Sequence, residues 1–526
     1  MLRFYVLGTL LFVGAMATLA ATLGGPGWFL LLAVAVLLLA VGVYDLVQRK
    51  HSILRNYPVI GHIRFLMEEI RPELQQYFIE RNFDGRPYDR NTRSSIYQRS
   101  KGHQDEQPFG TERDLYAVGY EYLVHSTRPV DPMPEPPRVR IGGPRCTQPY
   151  DMALLNVSAM SFGALSGNAI RALNQGAAAG GFAHDSGEGA ISPYHRHGGD
   201  LVWEIGSGYF GCRTPEGGFD AEKFATKVAD PQVKMVSVKL SQGAKPGLGG
   251  VLPGAKVTQE IAETRDVPVG QTVVSPPYHQ AFSTPRELIG FLDRLRDLAG
   301  GKPVGFKLCL GSRVDFLAIC KAMVEEGTAP DFVIVDGAEG GTGAAPMEFS
   351  DHVGMPLTEA LMTVDNALVG VGLREAVKVG ASGKVATGVD VVKRVVQGAD
   401  FTMAARAMMM AVGCIQAQTC HTNTCPVGVA TQDPKRARAL DVASKTQRVT
   451  NYQREVIASA MTVVASMGLH SFADLHPRML RRRVSHDTIS SYAEMFDYLT
   501  PGRLLESAPP SWRADWDAAD PDRFTP

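Results

Sequence analysis

The sequence predicts an α/β protein: a (β/α)8 barrel carrying an N-terminal two-helix transmembrane hairpin and helical extensions. Three observations point there. After Pro144, short apolar runs of strand length alternate with longer amphipathic segments, about eight units in roughly 280 residues, as a barrel of parallel strands requires. Gly-rich loops follow successive apolar runs. Before all of this stand two long apolar stretches.

Composition narrows the class. The chain has 526 residues, 45% of them hydrophobic, enough for one large domain or two ordinary ones. Its 53 basic and 54 acidic residues give a net charge of −1, which argues against nucleic-acid binding. Seven cysteines are too few and too odd a number for a disulfide scaffold, so reduced cytoplasmic thiols are expected.

Phe4 to Leu23 is one apolar run; "GGPG" from Gly24 to Gly27 breaks it, and Trp28 to Val47 is nearly as apolar. Each can span a bilayer, and two successive spans fit a cleaved signal peptide poorly. Arg3 before the first run and Arg49, Lys50 and Arg55 after the second place both ends in the cytoplasm, so the expected location is the cytoplasmic membrane with the catalytic domain inside the cell. The expected segments are 1–50 (hairpin), 51–143 (extension and connector), 144–432 (barrel) and 433–526 (C-terminal helical extension). Within the second, "IRPELQQYFIERNFDGRPYDR" reads as an amphipathic helix and a turn, with no chemistry assigned, and the Pro-rich Arg128 to Pro144 as an extended connector.

The expected strands are Ala153 to Ala159, a short second one before "HDSGEGA", Lys234 to Leu240, Thr272 to Ser275, Val304 to Leu310, Phe332 to Val335, Ala376 to Val379 and Phe401 to Ala404. In the helix within "TPRELIGFLDRLRDLAG", Leu288, Phe291, Leu292, Leu295 and Leu298 share a face, with Thr284 as N-cap, Pro285 in first position and Glu287 at capping-box spacing.

Barrel enzymes act at the C-terminal ends of their strands. The candidates there are Ser158, Ala159, Met160 and Ser161 after the first strand, and Lys239 and Gln242 after the third. Later loops add Lys307, then Asp336, Gly340, Gly341 and Thr342, then Gly383, Thr387 and Gly388. "GGTG" and "GKVATGVDVVKRVV" offer bare N–H groups and a helix N-terminus to a phosphate. Lys307 or Lys239 could face the N1/O2 edge of a flavin, or simply pair with a barrel carboxylate.

The stretch "GCIQAQTCHTNTCPVG" holds Cys414, Cys420 and Cys425 in the spacing C-x5-C-x4-C, followed by Pro426. Iron–sulfur ligation, a zinc site with His421, and no metal at all are the three readings of the spacing itself, the first favoured by the closely spaced thiols and the proline.

The set "SAMSFGALS", "SGEG", "QGAKPGLGGVLPGAKV", "SPP", "GGTGAAP" and "GCIQAQTCHTNTCPVGVATQ" resembles the FMN-binding synthase domain of glutamate synthase, over roughly Pro144 to Gln432. The hairpin and the segment after it look like the shorter stand-alone members of that family. The resemblance implies FMN, a [3Fe-4S] cluster on Cys414, Cys420 and Cys425, and hydride delivery to 2-iminoglutarate formed from 2-oxoglutarate and ammonia. It carries catalytic-site roles to Glu188, Lys245 and Arg265. Two features depart from the family: Val251 stands where it has a substrate-binding Gln, and "YHQAF" replaces "HHDIY", keeping only His279. No glutaminase part is expected, nor a dinucleotide fingerprint in a βαβ unit, so electrons would come from a reductase subunit, ferredoxin or a membrane carrier. Three functions follow: an oxidoreductase of the CH–NH2 class making glutamate with free or partner-supplied ammonia; a membrane-linked FMN/iron–sulfur oxidoreductase acting on another small substrate or quinone; and an electron-transfer subunit without its own substrate.

Overall fold

The computed structural model describes residues 2–25, 27–103 and 106–524; Pro26, part of the expected break between the apolar runs, lies outside them. The chain forms two compact units, residues 1–86 and 87–526.

The first unit opens with helices Leu2–Gly24 and Trp28–Val47. Both are long and apolar enough to cross a membrane. Small residues form their seam: Ala17 and Ala35 are buried, and a Cβ on Gly42 would sit 2.7 Å from Leu7. Short helices follow, Ser52–Asn56 and Gly61–Leu74, the latter running into a π-turn at Gln75–Ile79.

The second unit is built on a closed barrel of eight parallel strands: β1 (Leu155–Val157), β2 (His184–Asp185), β3 (Leu201–Ile205), β4 (Val233–Lys239), β5 (Val304–Leu308), β6 (Phe332–Asp336), β7 (Lys378–Ser382) and β8 (Phe401–Ala404). β8 closes on β1 through Thr402 opposite Leu155. Two expected strands are corrected. Thr272 to Ser275 is outside the barrel: Val273–Val274 pairs antiparallel with Val251–Leu252, and Val274 is exposed, whereas a barrel strand is covered on both faces. The strand in its place is β3, whose five residues are all buried; Glu204 interrupts its apolar pattern because that side chain finds its partner inside the barrel. Ala153 to Ala159 also divides, since Tyr150–Ala153 pairs antiparallel with Arg138–Ile141 of the Pro-rich connector.

That pair packs Ile141 and Met152 against Val202, Met235, Phe332, Ile334, Phe401 and Met403, the alternate residues of β3, β4, β6 and β8. Glycine makes space for the large rings: a Cβ on Gly380 would meet the Phe401 ring at 2.5 Å. Further along the same strands the side chains of this period become charged.

Around the barrel, Thr284 caps helix Pro285–Leu298 by accepting from Glu287 N at 3.1 Å, while the Glu287 carboxylate accepts from Ser283 N. The buried face runs through Leu288, Phe291, Leu292 and Leu295, with Leu298 half-buried. Helix Val442–Ser466 lies on helices Gly167–Gly180 and Gly388–Val396, and Tyr452 donates to Ala386 O at 2.8 Å.

Candidate active site

At the C-terminal end of the barrel one carboxylate meets three cations. Lys239, the last residue of β4, places Nζ 2.7 Å from Glu188 Oε1 and donates to Gln242 at 3.1 Å. Lys245, from the loop after β4, and Arg265, closing helix Gln259–Arg265, both act on the same carboxylate. Glycine walls let the chains come together: a Cβ on Gly250 would lie 2.7 Å from Glu188 Oε1, and one on Gly189 would lie 2.6 Å from the Arg265 guanidinium. Burial alone would raise the Glu188 carboxyl, but Lys239, Lys245 and Arg265 outweigh it and hold it down to about 2. Burial brings Arg265 down to about 10 and lowers the Lys245 ammonium. Arg265 donates to Phe162 O at 2.8 Å and stands 5.3 Å over the Phe210 ring, yet its Nε is buried without a partner among the described residues. His279, pushed by burial down to about 4, is neutral near pH 7 and bridges Lys239 O (2.9 Å) and the Tyr209 hydroxyl (3.1 Å).

Deeper in the barrel the balance reverses. Lys307 on β5 pairs with Glu204 on β3, and Asp185 on β2 and Asp336 on β6 face the same ammonium. Of its two expected roles, Lys307 therefore takes the pair with a barrel carboxylate. Burial would lower its ammonium; the three carboxyls reverse that and raise it. Asp185 is raised to about 8, by burial and by Glu204, against the opposing pull of Lys307. Its Oδ1 accepts from Gly187 N, and its Oδ2 is buried with no partner among the described residues. Asp336 accepts from Gly243 N at 2.8 Å, and Gly340 lies against the same glycine, so the β6 loop positions the loop that carries Lys245.

The late strand ends hold the remaining loop candidates. Ser158 N donates to Ala404 O, and its hydroxyl lies 3.3 Å from that of Ser382. Ala159 is half-buried, Met160 is buried, and the Ser161 hydroxyl accepts from Gly189 N at 3.1 Å. Gly383 has φ +147°, and Gly341 lies beside Arg406, which donates to Glu339 O. Thr342 is exposed. Thr387 and Gly388 stand at the N-terminus of helix Gly388–Val396. Thr387 and Asp390 form a capping box in which Asp390 Oδ2 takes the N–H groups of Ala386 and Thr387, and Gly388 is packed against Ala460. The uncapped first turn belongs to the next helix, Arg406–Val412, whose N-cap Ala405 has no side-chain acceptor. The N–H groups there have no competing side-chain carboxylate.

Cys414, Cys420 and Cys425 line one small, largely apolar cavity with Met409, Val427 and Val429. All seven cysteines are free. Burial pushes the Cys414 thiol up to about 12 and raises Cys420 as well. Among the described residues no three His, Cys, Asp or Glu side chains converge as ligands of a single metal ion. Three thiols around one cavity still fit a cluster, which takes one thiolate per iron and so needs its sulfurs further apart. The loop is wound through left-handed turns at Gln416 (φ 59°), Gln418 (φ 56°) and Asn423 (φ 64°). Lys256 donates to Cys420 O at 2.8 Å. The segment after Arg86 clasps it from outside: Tyr97 OH donates to Cys414 O at 2.8 Å, and Tyr88 exchanges two hydrogen bonds with the Gln416 amide, each 3.2 Å.

Comparison with known proteins places this arrangement. The conserved region of glutamate synthase matches residues 146–470. The chain belongs to the glutamate synthase family. Glutamate synthase large subunit-like protein YerD of Bacillus subtilis is 38% identical over 484 residues, covering 84% of this chain and 92% of YerD. The archaeal-type glutamate synthase (NADPH) of Thermotoga neapolitana is 35% identical over 322 residues, 60% of each chain, so this family member spans well under two thirds of that relative. Among solved structures, a flavocytochrome b2 variant with pyruvate bound aligns over 85% of the chain and 93% of its own at 13% identity and TM-score 0.41.

Several residues of this family member's site escape sequence reasoning. Asp185 and Glu204 lie in segments read as a loop lead-in and as no strand at all, and only their pairing across the barrel distinguishes them. Tyr88 and Tyr97 lie in a segment with no assigned chemistry. The missing N-cap at Ala405 was readable: no Ser, Thr, Asn or Asp precedes "RAMMMAV".

Proposed function

We propose that this chain is an oxidoreductase that converts 2-oxoglutarate and ammonia to glutamate, with FMN held at the C-terminal mouth of the barrel and a [3Fe-4S] cluster on Cys414, Cys420 and Cys425. The observation that carries the reading is the excess of positive charge around Glu188: three buried cations against one carboxylate suit a dicarboxylate substrate. Lys245 and Arg265, whose Nε is unpartnered, would hold the two carboxylates, and ionised Glu188 would accept an N–H of the iminium formed when ammonia adds to the ketone carbonyl and the resulting carbinolamine loses water. FMN, when bound, supplies the hydride that completes the amine. Ser158, Ser382 and the first turn after Ala405 would cradle its phosphate. Electrons would enter at the cysteine loop from a ferredoxin or a reductase subunit. The apolar hairpin of residues 1–50 would tether the catalytic barrel, residues 144–432, to the cytoplasmic membrane.

The test is anaerobic purification of the full chain, flavin analysis and electron paramagnetic resonance, then titration with 2-oxoglutarate and ammonia under a low-potential donor. Glutamate formation with one FMN and a three-iron signal supports the reading; a flavin and cluster that turn over no 2-oxoglutarate remove it. One observation favours a second reading, a membrane-linked oxidoreductase with a different small substrate: Val251, where the family resemblance calls for a Gln, is 49% exposed beside the anion pocket's loop. That protein would reoxidise its flavin with another small carbonyl compound or a quinone.

A further inference from the structure

We propose that helix Gly61–Leu74 lies flat in the membrane–water interface, its apolar face sunk among the lipids. The proposal rests on the reading of the hairpin as membrane-embedded and extends it to a third, non-spanning element.

The helical period puts Ile63, Leu66, Met67, Ile70 and Leu74 on one face. In a water-soluble unit such a stripe is the face that packs inward. Here Ile63 is 57% exposed, Leu66 52%, Met67 47% and Leu74 38%, and Gly61 is the only buried residue of the helix. The opposite side is ordinary solvent surface, with Arg64 and Glu68 paired at 2.9 Å and both exposed. The helix is fastened to the hairpin without using the stripe. Phe65 turns away from it onto the His51 ring at 5.3 Å, and His62 at its edge reaches Asp45 at 3.0 Å.

Asp45 fixes the depth. It is fully buried two residues before the end of the second apolar helix, and it also accepts from Val59 N at 2.9 Å. The chain is thereby pinned at both sides of the turn into the amphipathic helix, which starts level with the end of the span. An apolar stripe continuous with a membrane-crossing hairpin, backed by a charged face, is the pattern of a helix lying in the interface. The partner is the lipid surface that the hairpin itself enters.

The experiment uses the full chain in phosphatidylethanolamine–phosphatidylglycerol vesicles, with a fluorescent amino acid introduced in turn at positions 67, 74, 69 and 37. Lipids carrying a shallow or a deep nitroxide quench from inside the bilayer, and iodide quenches from the water. Positions 67 and 74 are expected to report a depth of about 5–10 Å below the headgroup boundary. Position 69 is expected to be quenched by iodide alone, and position 37, in the second apolar helix, by the deep nitroxide. If position 37 is quenched by lipid but 67 and 74 by iodide, the interfacial helix is wrong while the hairpin stands. If 67 and 74 are shielded from both quenchers, a protein surface covers the stripe and the proposal falls. Loss of lipid quenching at position 37 removes the membrane reading and this proposal with it.

Discussion

Two ionic clusters share one barrel and have opposite surpluses. At the mouth, Glu188 faces Lys239, Lys245 and Arg265; in the interior, Lys307 faces Glu204, Asp185 and Asp336. The outer cluster keeps spare positive charge and spare donors, because Glu188, held down to about 2, sets a single negative charge against three cations. The inner cluster relieves its negative surplus within itself, because Asp185, at about 8, holds its proton near neutrality. Lys239 and Lys307 stand opposite each other in the register of β4 and β5, so the groups around each lysine, not its position along the strand, separate the two clusters.

The largest way to break the comparison is Lys307→Met. It leaves Glu204 buried without its partner, and the expected loss is about 3–5 kcal/mol of stability, read as a shift in denaturant midpoint. Adding Glu204→Leu should return much of it, since an apolar pair needs no compensation. Next is Lys245→Met in the outer cluster, which under the proposed function removes a charge-assisted contact to a substrate carboxylate. The expected fall in 2-oxoglutarate affinity is about 10- to 150-fold, from about 1.5–3 kcal/mol, with little change in unfolding midpoint. A midpoint that falls as far as for Lys307→Met would make the two clusters alike.

The pH dependence separates them further. The Asp185 value lies above its ordinary 3.8, so its contribution to stability is complete below about pH 4 and is lost as pH rises through about 8. The Glu188 value lies below its ordinary 4.5, so its contribution is complete above about pH 4.5 and is lost as pH falls toward 2. Denaturant midpoints measured from pH 6 to 9 should decline, and Asp185→Asn should flatten that decline while Glu188→Gln leaves it in place. The smallest effect belongs to Glu188→Gln itself. It removes the internal anion that competes for Lys239, Lys245 and Arg265, so substrate carboxylate should bind a few-fold tighter, by about 1 kcal/mol. Weaker binding would mean that Glu188 organises the cations instead of competing with them.

Much of the barrel was legible because its period is written in apolar runs, and β8 was found to the residue. β3 was hidden by Glu204, a charged residue in the middle of "LVWEI" that only a lysine from β5 explains. The two valines of "QTVVS" imitate a strand, yet too few apolar residues flank them to cover both faces. In the site, the strand-end rule picked out Lys239 and Lys307 but could not tell a mouth lysine from an interior one, since their partners come from strands far away in the chain. Glu188, Lys245 and Arg265 were legible through family resemblance, and the structure brings them together. "ATGVD" reads as a free helix N-terminus in the sequence, whereas in the structure Asp390 caps it.

The clasp of Tyr88 and Tyr97 on the cysteine loop bears on how the molecule is made. These residues leave the ribosome just after the hairpin, yet their partners lie 328 and 317 positions downstream. During synthesis at about 5–20 residues per second, that stretch of chain waits tens of seconds before its binding surface exists. Closure of the segment over Cys414 can only follow synthesis of both partners, which makes it a late step of folding.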